Sequence, residues 1–217
     1  MNNNRCLDIL EIMKRLLSIL AIAVITSAAA WGQAKSASQV MDAAAKKIQT
    51  MKSLSATYEM NADGEHMSGT LVMNGDKFHL SSEQIMAWYD GKTQWSYSAD
   101  TNEVNIIEPT PEELVAINPF VIISSFKKAY TPTLLKSAAG TYKVKLVPMT
   151  KSASQIKEVT LTLNAKSYLP SYISLTLDSG NKLDIKVKSI KGGTNYPHST
   201  FVFNKKQLPK AEIVDLR

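Results

Sequence analysis

The sequence predicts a mainly β (α+β) fold: a curved antiparallel sheet or open barrel, with an N-terminal helix and short lid helices over an apolar cavity. Three observations predict it. Between Leu54 and Ile107, and again between Tyr142 and Val187, apolar and polar side chains alternate with period two, the signature of strands with one buried face. Turn residues punctuate both halves: Asn74-Gly75 and Asp90-Gly91 first, then Ser152–Ser154, Asn164–Lys166, Asp178–Asn181 and Gly192-Gly193. Consecutive strands joined by such turns read as an antiparallel meander of ten or eleven strands. Between the halves, 108–138 breaks the alternation and carries two helix-start signals.

The N-terminus reads as an appendage. Lys14 and Arg15 precede an apolar run from Leu16 to Ile25, and small residues Ser27 to Ala30 follow. Positive, apolar and small residues in that order form the pattern of a secretory signal peptide. The run falls short of the ~20 apolar residues that span a bilayer. Residues 1–34 are therefore expected to be a signal peptide, with cleavage after Ala34 or, as the rival, after Ala30, and with Met13 as an alternative start. Residues 35–217 remain as one domain, expected in the periplasm and without a cysteine at the cleavage site to carry a lipid. The single cysteine, Cys6, leaves with the leader and excludes a disulfide framework.

The mature chain begins with a helix. Ser36 or Ser38 can cap it, and Val40, Ala44, Ile48 and Met51 fall on one face. The first strands follow, with Leu71 and Met73 on one, Phe78 and Leu80 on the next, then Ile85–Tyr89, Thr93–Tyr97 and Val104–Ile107. Thr110-Pro111-Glu112-Glu113 combines an N-cap, a proline at the first helical position and a glutamate three residues after the cap, a capping box. Asn118-Pro119 starts a second helical stretch, and Phe120 to Phe126 is apolar nearly all round. Such a helix must be covered on every side, by neighbouring structure on one and a cavity on the other. The last third alternates again: Tyr142, Val144 and Leu146; Val159, Leu161 and Leu163; Ile173, Leu175 and Leu177; Leu183, Ile185 and Val187; and finally Phe201 with Phe203.

Composition excludes more chemistry than it suggests. Apolar residues at 44% and charged residues at 20% describe a globular chain. There is no G-x-S-x-G elbow, no glycine-rich phosphate loop and no H-E-x-x-H, and His66, His79 and His198 stand apart from one another. His79 faces opposite Phe78 and Leu80 and reads as a surface residue. Glu112 and Glu113 favour a helix start and read as capping groups rather than a catalytic pair. No catalytic constellation, metal site or cofactor is expected. Residues 140–217 carry 13 basic and 5 acidic side chains, which either solvate a sheet face or dock an acidic partner or anionic membrane. A nucleic-acid partner is not expected without an aromatic-plus-basic motif. Apolar surface is in excess: Leu71, Met73, Phe78, Leu80, Trp88, Trp95, Tyr97 and Ile106 are the expected cavity lining, and Phe120, Ile122, Ile123 and Phe126 the expected lid.

Several segments resemble the LolA family of periplasmic lipoprotein carriers. Tyr89-Asp90-Gly91-Lys92-Thr93-Gln94-Trp95-Ser96-Tyr97 is similar to the family's D-G-K-x-x-W-x-Y hairpin. Gly69-Thr70-Leu71-Val72 before Phe78 resembles its G-x-(L/F)-x-(V/L) strand, and Asn118-Pro119-Phe120-Val121-Ile122 its lid segment. Phe201-Val202-Phe203 followed by Ile213-Val214-Asp215 is similar to its ending, and the order is colinear throughout. The resemblance implies an unclosed β-barrel (a half-barrel) capped by helices, a monomer rather than an enzyme, whose cavity shields the acyl chains of lipoproteins. It implies an inner-membrane ABC-type release complex and an outer-membrane acceptor as partners. The alternative is a carrier or sensor of another lipid on the same fold. Where the family's well-known members carry an Arg-Pro thought to latch the lid, this chain has Asn74-Gly75-Asp76-Lys77. Lys77 is the cation left for that role, without the planar fork of a guanidinium, and the segment 108–138 is expected at the low-stability end of the structure.

Overall fold

The computed structural model describes residues 35–62, 64–150 and 156–217; the expected leader at 1–34 and the turn at Ser152–Ser154 lie outside them. Helix α1 (Ala37–Thr50) starts where Ser36 accepts the Gln39 N–H at 3.2 Å while the Gln39 side chain accepts the Ser36 N–H at 2.9 Å. Six strands follow: β1 (Ser53–Ala62), β2 (Glu65–Asn74), β3 (Lys77–Ser82), β4 (Ile85–Tyr89), β5 (Gln94–Ser98) and β6 (Glu103–Ile107). Two short helices, α2 (Pro111–Ile117) and α3 (Val121–Ala129), lead to β7 (Tyr130–Leu135), β8 (Thr141–Pro148), β9 (Ile156–Asn164), β10 (Pro170–Leu177) and β11 (Lys182–Gly192). A short 3-10 turn, His198–Phe201, and a final strand, β12 (Glu212–Asp215), complete the chain.

All twelve strands join one open sheet in the order β12-β6-β5-β4-β3-β2-β1-β11-β10-β9-β8-β7. Its centre is β1, paired with β2 on one side and with β11 on the other. Each wing is a run of hairpins, as expected from alternation and turn residues. Strands β6 and β7 are consecutive in the chain, yet β7 forms one end of the sheet and β6 lies near the other, inside β12. The link between them, carrying α2 and α3, has to cross from one wing to the other, and the residues of α3 pack into the core of the concave face.

Four local expectations are corrected. The pair β12–β6 is parallel, because the chain runs from the central strand β11 across the opposite face of the sheet through a long connection rather than a hairpin. Residues 130–135, expected within the lid segment, form the edge strand β7, where Pro132 is tolerated because an edge leaves backbone donors unpaired on one side. Asp90-Gly91 opens a four-residue loop instead of a two-residue turn, since Asp90 Oδ1 accepts the N–H groups of Lys92 at 2.9 Å and Thr93 at 2.8 Å. Phe201 ends a 3-10 turn, and Phe203 lies outside regular structure instead of continuing a strand with it.

The concave face holds the main core. From β2 to β4 it presents Leu71 beside Leu80 and Ala87, and Met73 beside Phe78 and Tyr89. In the other wing Val144, Leu146, Val159, Leu161, Leu163, Ile173 and Leu175 line the same face and are at most 2% exposed. On the opposite face the residues after β11 pack a smaller cluster against β3–β6. His79 and Trp88 stack with centroids 4.9 Å apart, Phe203 lies 5.3 Å from Trp88, and Phe201 is buried.

Candidate functional site: a lidded apolar cavity

On the concave face a cavity of about 130 Å³ remains between the sheet and the residues joining α2 to α3. Its floor comes from Tyr58 and Met60 on β1, Met67 and Leu71 on β2, and Leu80 and Ile85 beyond them, with Leu183 and Ile185 of β11 on the other side. Ile117, Asn118, Pro119 and Phe120 form its roof. A second, polar groove of about 420 Å³ adjoins it at the hairpin end of β1 and β2, lined by Glu59, His66, Ser68, Glu83 and Gln84. Met60 and Met67, paired across the two strands, belong to both spaces.

The roof is positioned by local chemistry. Thr110 Oγ1 accepts the Glu113 N–H at 3.3 Å, and the Glu113 carboxylate accepts the Thr110 N–H at 2.7 Å and its hydroxyl at 3.0 Å. Those bonds hold Glu113 below the usual carboxylate range. Asn118 is fully buried: its Oδ1 accepts the Phe120 N–H at 3.1 Å, and its Nδ2 donates to Met73 Sδ at 3.6 Å, tying the roof to β2. An ion pair of 2.8 Å joins Lys127 of α3 to Asp42 of α1. Both groups are exposed, so the pair contributes at most about 1 kcal/mol. Apolar packing dominates by comparison. Phe120, Ile122, Ile123 and Phe126 are no more than 3% exposed, and burying such side chains is worth about 1.5–3 kcal/mol each.

The floor contains an unusual pair. Gly69 of β2 faces Tyr58 of β1, and a Cβ at Gly69 would collide with the Tyr58 hydroxyl and approach the Ser81 carbonyl oxygen to 2.6 Å. The aromatic ring thus occupies the space that any other residue at 69 would fill. Its hydroxyl is buried without a hydrogen-bond partner, and burial pushes its pKa up to about 12. An unpartnered buried hydroxyl costs about 1–3 kcal/mol.

The structure divides the expected lining between the two faces of the sheet. Leu71 and Leu80 border the cavity, while Met73 and Phe78 share its face deeper in the core. Trp88, Trp95, Tyr97 and Ile106 lie on the opposite face, a correction that follows from register: Trp88 pairs with His79 and Trp95, and Trp95 with Ile106. Adjacent residues of a strand point to opposite faces, so with Tyr89 inside, Trp88 is outside. Of the expected lid, Phe120 touches the cavity, and Ile122, Ile123 and Phe126 are packed into the core beside it. Tyr58, Met60, Met67, Ile85, Ile117, Leu183 and Ile185 were not among the expected lining; the β1–β2 hairpin connecting the first four strands to the centre of the sheet is the signal that could have found the first three. His79 is half-buried against Trp88 rather than free on the surface, and its Nδ1–H donates to the Ala87 carbonyl at 3.2 Å. Lys77 turns away from the roof, its Nζ donating to His198 Nδ1 at 3.2 Å on the opposite face. Among the described residues no group of three or more His, Cys, Asp or Glu is placed to hold a metal ion, and no helix is long and apolar enough to cross a membrane.

No curated protein matches the chain. Among solved structures, an uncharacterized conserved protein from Thermus thermophilus is similar over 82% of this chain and 98% of its own, with 13% identity and a TM-score of 0.51. A LolA superfamily protein from Nitrosomonas europaea matches over 78% of this chain and 99% of its own, at 14% identity and a TM-score of 0.45. A domain described as a putative outer membrane lipoprotein-sorting protein, from Vibrio parahaemolyticus, matches over 80% and 100%, at 12% identity and a TM-score of 0.46. The sequence model of the outer membrane lipoprotein carrier protein LolA matches residues 27–179. With an open sheet, a helix-bearing crossover and an apolar cavity beneath it, the chain belongs to the LolA outer membrane lipoprotein carrier protein family.

Proposed function

We propose that the protein is a periplasmic carrier that shields the acyl chains of lipoproteins under the α2–α3 crossover and moves them from the inner to the outer membrane. The observation that carries this reading is the apolar cavity roofed by Ile117–Phe120, continuous with a concave face whose side chains are apolar across both wings. Each CH₂ buried there gains about 0.8 kcal/mol, so chains are held without covalent chemistry and released by exposing them to another apolar surface. Family membership supports the cargo class, and an ABC-type complex at the inner membrane and an acceptor at the outer membrane are the partners such transfer requires.

The cavity's size dictates how loading works. Pockets for small ligands measure about 300–1,000 Å³, well above the 130 Å³ present here. Cargo therefore enters by displacing the roof, and its chains replace the packing that Phe120 and its neighbours give up. Exposing those side chains to water instead would be far more costly than breaking the single Asp42–Lys127 pair. Opening is thus coupled to the presence of an apolar guest. Saturable binding of a hydrophobic fluorophore, competed by a triacylated peptide at micromolar concentration, tests the reading; no binding at that concentration overturns it.

A further inference from the structure

Among the described residues two buried side-chain polar atoms lack a hydrogen-bond partner, Gln94 Oε1 and Tyr58 Oη, and only the second belongs to a residue that lines the apolar cavity. The pairs along β1 and β2 fix its place. Met60 faces Met67 near the hairpin; the next inward pair on this face is Tyr58 with Gly69, and the next is Ala56 with Leu71. Two residues of strand span about 7 Å. Outward of Tyr58, Met60 and Met67 are only half-buried at the hairpin end of the strands, while Glu59 and Ser68 beside them point to the opposite face. Inward, Leu71 and Leu80 form a dry surface. Tyr58 therefore stands between the half-buried rim of the cavity and its dry interior, and Gly69 leaves the room for its ring.

An acylated molecule has the same order of chemistry: a polar head, a carbonyl, then hydrocarbon. We infer that the Tyr58 hydroxyl donates a hydrogen bond to the ester or amide carbonyl of a bound acyl group. The chain then runs inward over Leu71 and Leu80, and the head leaves past Met60 and Met67 at the hairpin end. The two methionines suit such an exit, because their unbranched side chains adapt to irregular contents. Burial keeps the phenol protonated far above neutral pH, so it is a donor under all working conditions. The bond would then offset part of the cost of taking a carbonyl out of water, which apolar packing alone cannot do.

This inference rests on the acyl-binding reading, and one experiment separates the two. A fatty-acid methyl ester and an alkane of equal heavy-atom count each compete with a bound hydrophobic fluorophore, on the wild-type chain and on Tyr58→Phe. The ratio of ester to alkane affinity is expected to be roughly three- to tenfold higher on the wild-type chain than on Tyr58→Phe, the worth of one net hydrogen bond. The alkane measured on each chain corrects for any change in apolar binding that Tyr58→Phe brings. An ester-to-alkane ratio that is the same on both chains overturns the role of Tyr58 and leaves the carrier reading standing. If neither compound competes in wild type, both readings fall. Should the variant not fold, isotope-edited infrared spectra of a carbonyl-labelled ester on the wild-type chain decide: a band shifted to lower wavenumber than in hydrocarbon solvent supports the bond, and an unshifted band overturns it.

Discussion

At Gly69 the absence of a single carbon sets the shape of the cavity floor. Gly69→Ala would drive a Cβ into the Tyr58 hydroxyl and the Ser81 carbonyl, and the carbonyl belongs to backbone that cannot step aside. We expect the variant to lose about 1–3 kcal/mol of stability in urea unfolding; an unchanged midpoint would show that the ring tilts away freely. A second residue-scale effect lies on the opposite face. Burial holds the His79 pKa below its ordinary 6.5, against a weaker upward pull from its bond to the Ala87 carbonyl. The unfolded chain takes up that proton as pH falls through 6.5, while the folded chain resists until lower pH. Stability is therefore complete above 6.5 and declines below it. Urea midpoints measured at pH 7 and pH 5.5 should differ more for wild type than for His79→Gln, and equal differences would dismiss the effect. Residue identity was the least legible level in the sequence. Alternation tells that Trp88 and Tyr89 part company and that Trp95 and Tyr97 travel together, but which face meets the core depends on pairings with distant strands.

Elements whose ends are set by neighbouring residues were legible. At Thr110 the capping box needs only four consecutive residues and α2 begins where they place it, whereas for α1 the sequence leaves Ser36 and Ser38 open and the structure puts the cap at Ser36. The hairpin strands were legible because one wet and one dry face write a period of two into the chain. Strand β7 was not, since Thr131, Pro132 and Thr133 carry no clear alternation and its place at the sheet edge asks for none. Strand β12 pairs in parallel with a strand more than a hundred residues earlier, a match that no local pattern announces. The low-stability expectation for 108–138 divides accordingly between three elements. Helix α2 is short and exposed at its start, whereas α3 is packed through Ile122, Ile123 and Phe126, and β7 belongs to the sheet. Hydrogen exchange should release amides of 111–120 before those of 122–129 and 159–163, with a triacylated peptide slowing the first group. Thr110→Ala should weaken α2 locally by about 1 kcal/mol, faster exchange at 113–117 being the readout while the global midpoint stays put. Exchange of α3 as fast as α2 would mean that its burial contributes little.

At the scale of the whole molecule, the proposed carrier function demands movement of α3 against α1. Residues 35–217 contain no cysteine, so paired cysteines replacing Asp42 and Lys127 can be bridged by a short bismaleimide without side reactions. The bridged protein should bind the hydrophobic fluorophore at least roughly tenfold more weakly than the same variant carrying a long flexible bridge. Equal binding would place the entry route elsewhere. The chain's path adds a mechanical consequence. Since the segment from β6 to β7 is anchored at one end beside the edge strand β12 and at the other in the edge strand β7, it cannot swing on one hinge; it is a bowstring across a bent bow. A guest that lifts the string draws the rims together, and a sheet that flattens pulls the string taut over whatever lies beneath. Any partner that grips one rim, far from the cavity, thereby gains leverage over how firmly the contents are held.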